Sequence, residues 1–146
     1  MPRHKRDDPL SIANAHLIDA NVVLRYLLDD DPEMSARAAA LIQRVEQGKE
    51  VVEITEVVLM EIVWTLTTFY QVPRKETSDK LTAFLSVPGV RAASRRICVR
   101  ALRDFGDGAV DFVDCLLAAR SRARSLPVYS FDEADFRKLQ CDWRIP

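Results

Sequence analysis

The chain has 146 residues, enough for one compact domain, and its 48% hydrophobic content is ordinary for a fold with a single core. Lysine and arginine number 21 against 22 aspartates and glutamates, a formal charge of -1, so any hold on a polyanion must come from a local basic patch. The three separated cysteines, Cys98, Cys115 and Cys141, and the two histidines, His4 and His16, form no CxxC or HxxxH pair. That argues against zinc, leaves oxygen as the ligand for any metal, and reads as reduced, buried thiols of a cytoplasmic protein.

Residues 1–15 are polar and without periodicity, and are read as a flexible extension with no assigned role; the folded domain is expected over 16–146. The basic opening Met1-Pro2-Arg3-His4-Lys5-Arg6 is followed by Asp7-Asp8-Pro9 rather than by an apolar run, so export is not expected. Leu17-Ile18 is a short apolar strand ending at Asp19, and Val22, Leu24, Tyr26 and Leu28 mark a helix directly after it. Asp29-Asp30-Asp31-Pro32 breaks that helix and starts the next, with Ala36, Ala39, Ala40, Ile42 and Val45 as its apolar side and Gly48 as its stop. Val51 to Ile54 is a second strand, and Thr55 caps a helix running to about Tyr70. Pro73 opens a helix that ends at Pro88-Gly89, and an extended stretch from Val90 to Ala92 leads through Ser94 into a helix stopped by Gly106-Asp107-Gly108. Asp111 begins a strongly apolar helix, followed by the strand Val128-Tyr129-Ser130 and a last short helix near Phe136. Strands joined by helical crossovers must run parallel, which predicts a three-layer α/β/α domain with a central parallel sheet of four to five short strands. The most apolar stretch, Val57 to Leu66, is broken by Glu61 and far too short to span a membrane; a soluble protein is expected.

In such sheets ligands bind beyond the carboxyl ends of the strands. Asp19 closes the first strand and Asp132 lies just past Ser130, although a turn or N-cap aspartate would sit there too. Glu61 interrupts Val57-Val58-Leu59-Met60-Glu61-Ile62-Val63-Trp64, where nearly every face is apolar, so a buried carboxylate there needs an arginine, another cation or a metal. Asp111 and Asp114 share one face at a helix start; Asp111 is read as a cap with an acid at N3, and Asp114, on a small apolar helix, as aimed at a site. Four such acids would repel one another unless a cation neutralised them, and a ligand set with neither histidine nor cysteine favours Mg²⁺, with Mn²⁺ able to substitute. Such an ion polarises a phosphoryl oxygen and lowers the pKa of water, which suits phosphodiester hydrolysis.

The segment Leu17-Ile-Asp-Ala-Asn-Val-Val-Leu-Arg-Tyr-Leu-Leu-Asp-Asp-Asp-Pro32 resembles the opening of PIN-domain proteins of the VapC toxin type, which usually read LLDTNVLLRYLLxDDP. Val57-Val-Leu-Met-Glu-Ile-Val-Trp64 resembles their second motif, Asp111-Phe-Val-Asp-Cys-Leu-Leu-Ala-Ala119 their DFADALIAA motif, and Val128-Tyr-Ser-Phe-Asp132 their closing VxTFD. Four motifs occur in the family's order over residues 16 to about 140. The resemblance implies a PIN fold and a Mg²⁺-dependent endoribonuclease, the toxin of a VapBC-type toxin–antitoxin pair, with a VapB-type antitoxin as partner and a homodimer as its assembly. It places the acidic quartet that holds metal and carries catalysis on Asp19, Glu61, Asp114 and Asp132, with Asn21 and Ser130 as supporting polar residues and Asp111 as a peripheral acid. Ala20 and Ser130 stand where threonine is usual and Cys115 where alanine is usual, and no carboxylate is lost.

Arg96, Arg100 and Arg103 recur on one helix face, and Arg120, Arg122, Arg124 and Arg137 add charge near the last motifs. They could track an RNA backbone, meet the antitoxin, or form an ordinary solvated face. Trp64, Phe69, Tyr70, Phe84 and Leu85 fit either a dimer seam or the core. A haloacid-dehalogenase-type phosphotransferase would need an aspartate at position 21, which is Asn21; a receiver domain would need an aspartate after its central strand and a lysine after its last, and neither is evident, Lys138 lying well beyond Ser130. The alternative is a PIN scaffold without activity that only binds a partner or nucleic acid.

Overall fold

The computed structural model describes residues 15–146, so the expected extension falls outside the described residues apart from Ala15. These form two compact units, one of residues up to Ile62 with Phe84–Ala93, the other of Val63–Ala83 with Ser94–Pro146.

In the first unit β1 (Ala15–Leu17) leads through Ile18 and Asp19 into α1 (Ala20–Leu28). The strand starts at Ala15, one residue inside the expected arm. Asp29 takes a left-handed conformation (φ 50°) and ends α1. Asp31 then caps α2 (Pro32–Glu46), its Oδ1 accepting from the Met34 N–H at 3.0 Å, with Pro32 at the first position as its sequence predicts. The buried side of α2 is Ser35, Ala38, Ile42 and Val45; Ala36, Ala39 and Ala40, expected inside, are exposed. Alanine carries too little apolar surface to decide which way a helix turns, and the larger Ile42 and Val45 do so. β2 (Val51–Glu53) follows, then Thr55, whose Oγ1 accepts from the Val58 N–H at 3.3 Å at the start of α3 (Glu56–Trp64). β3 (Val90–Arg91) completes a parallel sheet in the order β1-β2-β3, with Ala15 opposite Val51 and Val52 opposite Val90. Val23, Ile42, Val45, Val51 and Leu59 are the buried centre of this unit.

In the second unit the helix expected to reach Tyr70 continues from α3 as a π-helical turn, Thr65–Phe69, and stops at Gln71 with φ 54°. After Pro73, α4 (Arg74–Leu85) begins here, while its last two residues belong to the first unit. α5 (Arg95–Asp107) and α6 (Phe112–Arg124) pack through Cys98, Ala101, Leu102, Phe105, Cys115 and Ala119, all buried. Beyond them lie β4 (Val128–Tyr129), α7 (Glu133–Lys138) and β5 (Trp143–Arg144), with β4 and β5 paired in parallel. Phe84 and Leu85 are core residues, as one reading of the sequence had it, whereas Trp64 and Phe69 are 62% and 72% exposed.

The α/β class and the parallel strands are as the sequence predicts. The single central sheet is not: the five strands form one sheet of three and one of two among the described residues. Helical crossovers dictate that strands run parallel, but strands of two or three residues have too few side chains to specify which strand is the neighbour. No helix among the described residues is long and apolar enough to cross a membrane.

Gly89 shows how tightly the first unit closes. A Cβ there would lie 2.6 Å from Val45 Cγ1 and 2.8 Å from the Val45 carbonyl oxygen, and the backbone atom cannot move aside. Gly89→Ala is expected to cost about 1–3 kcal/mol in urea denaturation. Gly48 sits in open space with φ +74°, and Gly48→Ala should cost about 1 kcal/mol through backbone strain alone.

Candidate metal centre

The second unit brings three carboxylates together. Asp114, in the first turn of α6, Asp132, at the N-cap of α7, and Asp135, in its first turn, each offer an oxygen, and these oxygens lie within 4.8 Å of one another. Local structure holds them there. The Asp132 N–H donates to Ser130 Oγ at 2.9 Å, and Asp132 Oδ1 accepts from the Asp135 N–H at 3.2 Å. One turn thus fixes two acids. The loop before α6 is tied down by Arg74: its Nε donates to the Phe105 carbonyl at 3.0 Å, its Nη2 donates to the Val110 carbonyl, and its guanidinium stacks 3.8 Å from the Phe105 ring centroid.

Asp114 has its pKa raised, first by burial and then by the charges of Asp135, Asp111 and Asp132. Asp132 also caps α7, and Asp114 and Asp135 lie in helix first turns, positions that suit an acid without any cation. No arginine or lysine pairs with Asp114, Asp132 or Asp135 among the described residues, although Arg100 on α5 and Arg122 further along α6 both pair with Asp104. Three converging carboxylates without a basic partner fit a hard divalent cation, and Asp114, Asp132 and Asp135 are the residues that could hold one.

Asp135 was not among the residues expected from sequence. Its signal was there: Asp132 and Asp135 stand three apart at a helix start, the spacing of Asp111 and Asp114. Asp111 occupies the N-cap of α6 but makes no side-chain cap hydrogen bond, so the capping role expected of it is not formed. It is exposed and adds its charge to the field on Asp114.

Asp19 and Glu61 belong to the first unit. Asp19 is the N-cap residue of α1 in extended conformation (φ -84°, ψ 154°), with no side-chain cap hydrogen bond, so its exposed carboxylate is not spent on the helix end. Glu61 overturns the burial argument made for it. It is exposed, and Val57 and Trp64, at i-4 and i+3, are 70% and 62% exposed. The apolar run therefore hides an outward face on α3, and Glu61 needs no compensating charge. Asn21, in the first turn of α1, lines a groove with Val22, Arg25, Met34 and Leu41. Among the arginines, Arg100 pairs with Asp104 at 3.1 Å and Arg120 Nη2 donates to Ser94 Oγ at 3.5 Å. Cys98, Cys115 and Cys141 are buried thiols; burial, followed by the Asp104 charge, pushes the Cys115 thiol up to about 12, so it stays protonated.

An α/β fold of parallel strands with an oxygen-only acidic cluster at helix starts defines a class of candidate metal-dependent hydrolases. Residues 16–140 match the PIN domain family, and the chain belongs to it. PIN domains are typically metal-dependent nucleases that generally use Mg²⁺. No curated protein matches the chain.

Because the folded-state pKa of Asp114 is raised, the folded protein binds this proton more tightly than the unfolded chain, and stability is lost as pH rises through the Asp114 titration. Asp114→Asn should therefore raise the Tm of metal-free protein by a few degrees at pH 7, and the gain should vanish at a pH below the ordinary aspartate value. Added Mg²⁺ should raise the Tm of the wild type and leave that of the variant unchanged, read by thermal denaturation in EDTA and in excess Mg²⁺.

Proposed function

We propose that this chain is a Mg²⁺-dependent endoribonuclease, the toxin of a VapBC-type toxin–antitoxin pair that arrests growth by cutting RNA. The observation that carries the reading is the convergence of Asp114, Asp132 and Asp135 with no basic partner among the described residues. Membership of the PIN domain family over residues 16–140 supports nuclease chemistry, and the motifs at 17–32, 57–64, 111–119 and 128–132 support the toxin branch and RNA as its substrate.

When bound, a divalent ion supplies Lewis-acid polarisation of the scissile phosphate and a hydroxide-like nucleophile at neutral pH. The chain's own contribution is placement. Ser130 and the first turn of α7 hold Asp132 and Asp135, and α6 presents Asp114 already partly desolvated, so little reorganisation remains on binding. The family resemblance assigns Asp19, with Asn21 supporting it, as a metal ligand, and Glu61 as a ligand or as the residue that positions the attacking water. In-line attack leaves a 5′-phosphate and a 3′-hydroxyl. The partners in this reading are an RNA substrate, a VapB-type antitoxin and a second copy of the chain, in the cytoplasm.

Cleavage of total RNA with mapped ends tests the reading. Wild-type protein should cut in Mg²⁺ and not in EDTA, and Asp19→Asn and Asp132→Asn should each lower the rate at least about a hundredfold while the circular dichroism spectrum is kept. Full activity in either variant, or in EDTA, contradicts it.

A further inference from the structure

The second unit concentrates positive charge away from its acidic cluster. Together α5 and α6 carry seven arginines against three aspartates, in a chain whose overall formal charge is -1. Between these helices lies a shallow basin of about 320 Å³, lined by Arg96, Arg100 and Arg122 around Ile97, Ala119 and Ala123.

Its arginines differ in how they are held. Arg122 is fixed, with Nη2 donating to Asp104 Oδ2 at 2.7 Å and Nη1 to the Leu139 carbonyl. Arg100 shares the same aspartate at 3.1 Å, so one carboxylate serves two guanidiniums and a positive charge is left over. Arg96, in the basin, and Arg103, two turns along the same face of α5, are exposed and make no ion pair among the described residues. The floor is small, because Ala119 and Ala123 leave the guanidinium donors open to an approaching oxyanion.

The position matters as much as the charge. Asp114 and Arg122 stand on one helix, eight residues apart, which places them about 12 Å apart along the axis and roughly 80° around it. A strand with one phosphate at the acidic cluster would therefore carry another over the basin some three or four stacked nucleotides away, at about 3.4 Å each.

We infer that this basin is a backbone seat for an RNA strand, contacting phosphates on one side of the scissile bond and neutralised by them. The inference rests on the ribonuclease reading for its ligand and extends it to a second, non-catalytic contact. Guanidiniums over an alanine floor, with no aromatic platform in the basin, make this a grip on the backbone and not on the bases.

The test is fluorescence anisotropy of a short unstructured RNA with the whole chain in EDTA, over a salt series, alongside cleavage of the same RNA in Mg²⁺. Arg96→Gln with Arg103→Gln should weaken binding about tenfold or more at low salt and flatten the slope of log K against log salt by about 1.4, the loss of two phosphate contacts. Arg96→Lys with Arg103→Lys should retain most of both, and KM for cleavage should rise in the glutamine pair. Unchanged affinity and slope in the glutamine pair overturn the seat, even if the wild type cleaves. Arginine-dependent binding without any Mg²⁺-dependent cleavage leaves the seat standing and removes the nuclease reading. Displacement by polyglutamate with no measurable RNA binding makes the basin a seat for an acidic protein and overturns the inference.

Discussion

The partly buried carboxylate of Asp114, set beside the charges of Asp135, Asp111 and Asp132, is the constraint around which this site is arranged. Burial first, and those like charges second, disfavour the ionised form of Asp114 in the absence of a cation, and the packing around it must hold it there. The apolar contact of α5 with α6 fixes where α6 begins, Arg74 ties the loop that precedes it, and Ser130 with the first turn of α7 fixes the other two acids. The packing is thus a stock of stability set against a locally unfavourable site, which is the usual relation between a scaffold and its chemistry.

The arginines sharpen that relation. Of the seven on α5 and α6, Arg100 and Arg122 pair with Asp104 and not with the cluster. Acidic and basic groups are held apart along α6, with Asp114 in its first turn and Arg122 and Arg124 in its last, so the helix dipole opposes neither charge. That separation leaves the three acids without a basic partner among the described residues and Arg96 and Arg103 exposed on α5.

Much of this was legible in the sequence where a residue type admits few conformations. Asp31-Pro32, Thr55 and Pro73 mark helix starts by mechanism, and Asp114 was separable from its surroundings because it interrupts a small apolar helix. Glu61 shows the limit: a window can be apolar on every face and still turn one face outward, since burial depends on what packs against the helix and not on its composition. Asp111 shows another, as a residue can occupy a cap position without making the cap bond. The division of five short strands into two sheets depends on pairings that two or three side chains cannot encode. Asp135 lies beyond the family motif that closes at Asp132, and only the geometry of the helical first turn brings it to the other two acids.

Mn²⁺ titration followed by electron paramagnetic resonance shows directly whether the three acids of the second unit hold a divalent cation. Wild-type protein should give saturable loss of the free Mn²⁺ signal, with competition by Mg²⁺ and loss of binding in Asp132→Asn with Asp135→Asn. Saturable Mn²⁺ binding that persists undiminished in that pair would contradict a site there.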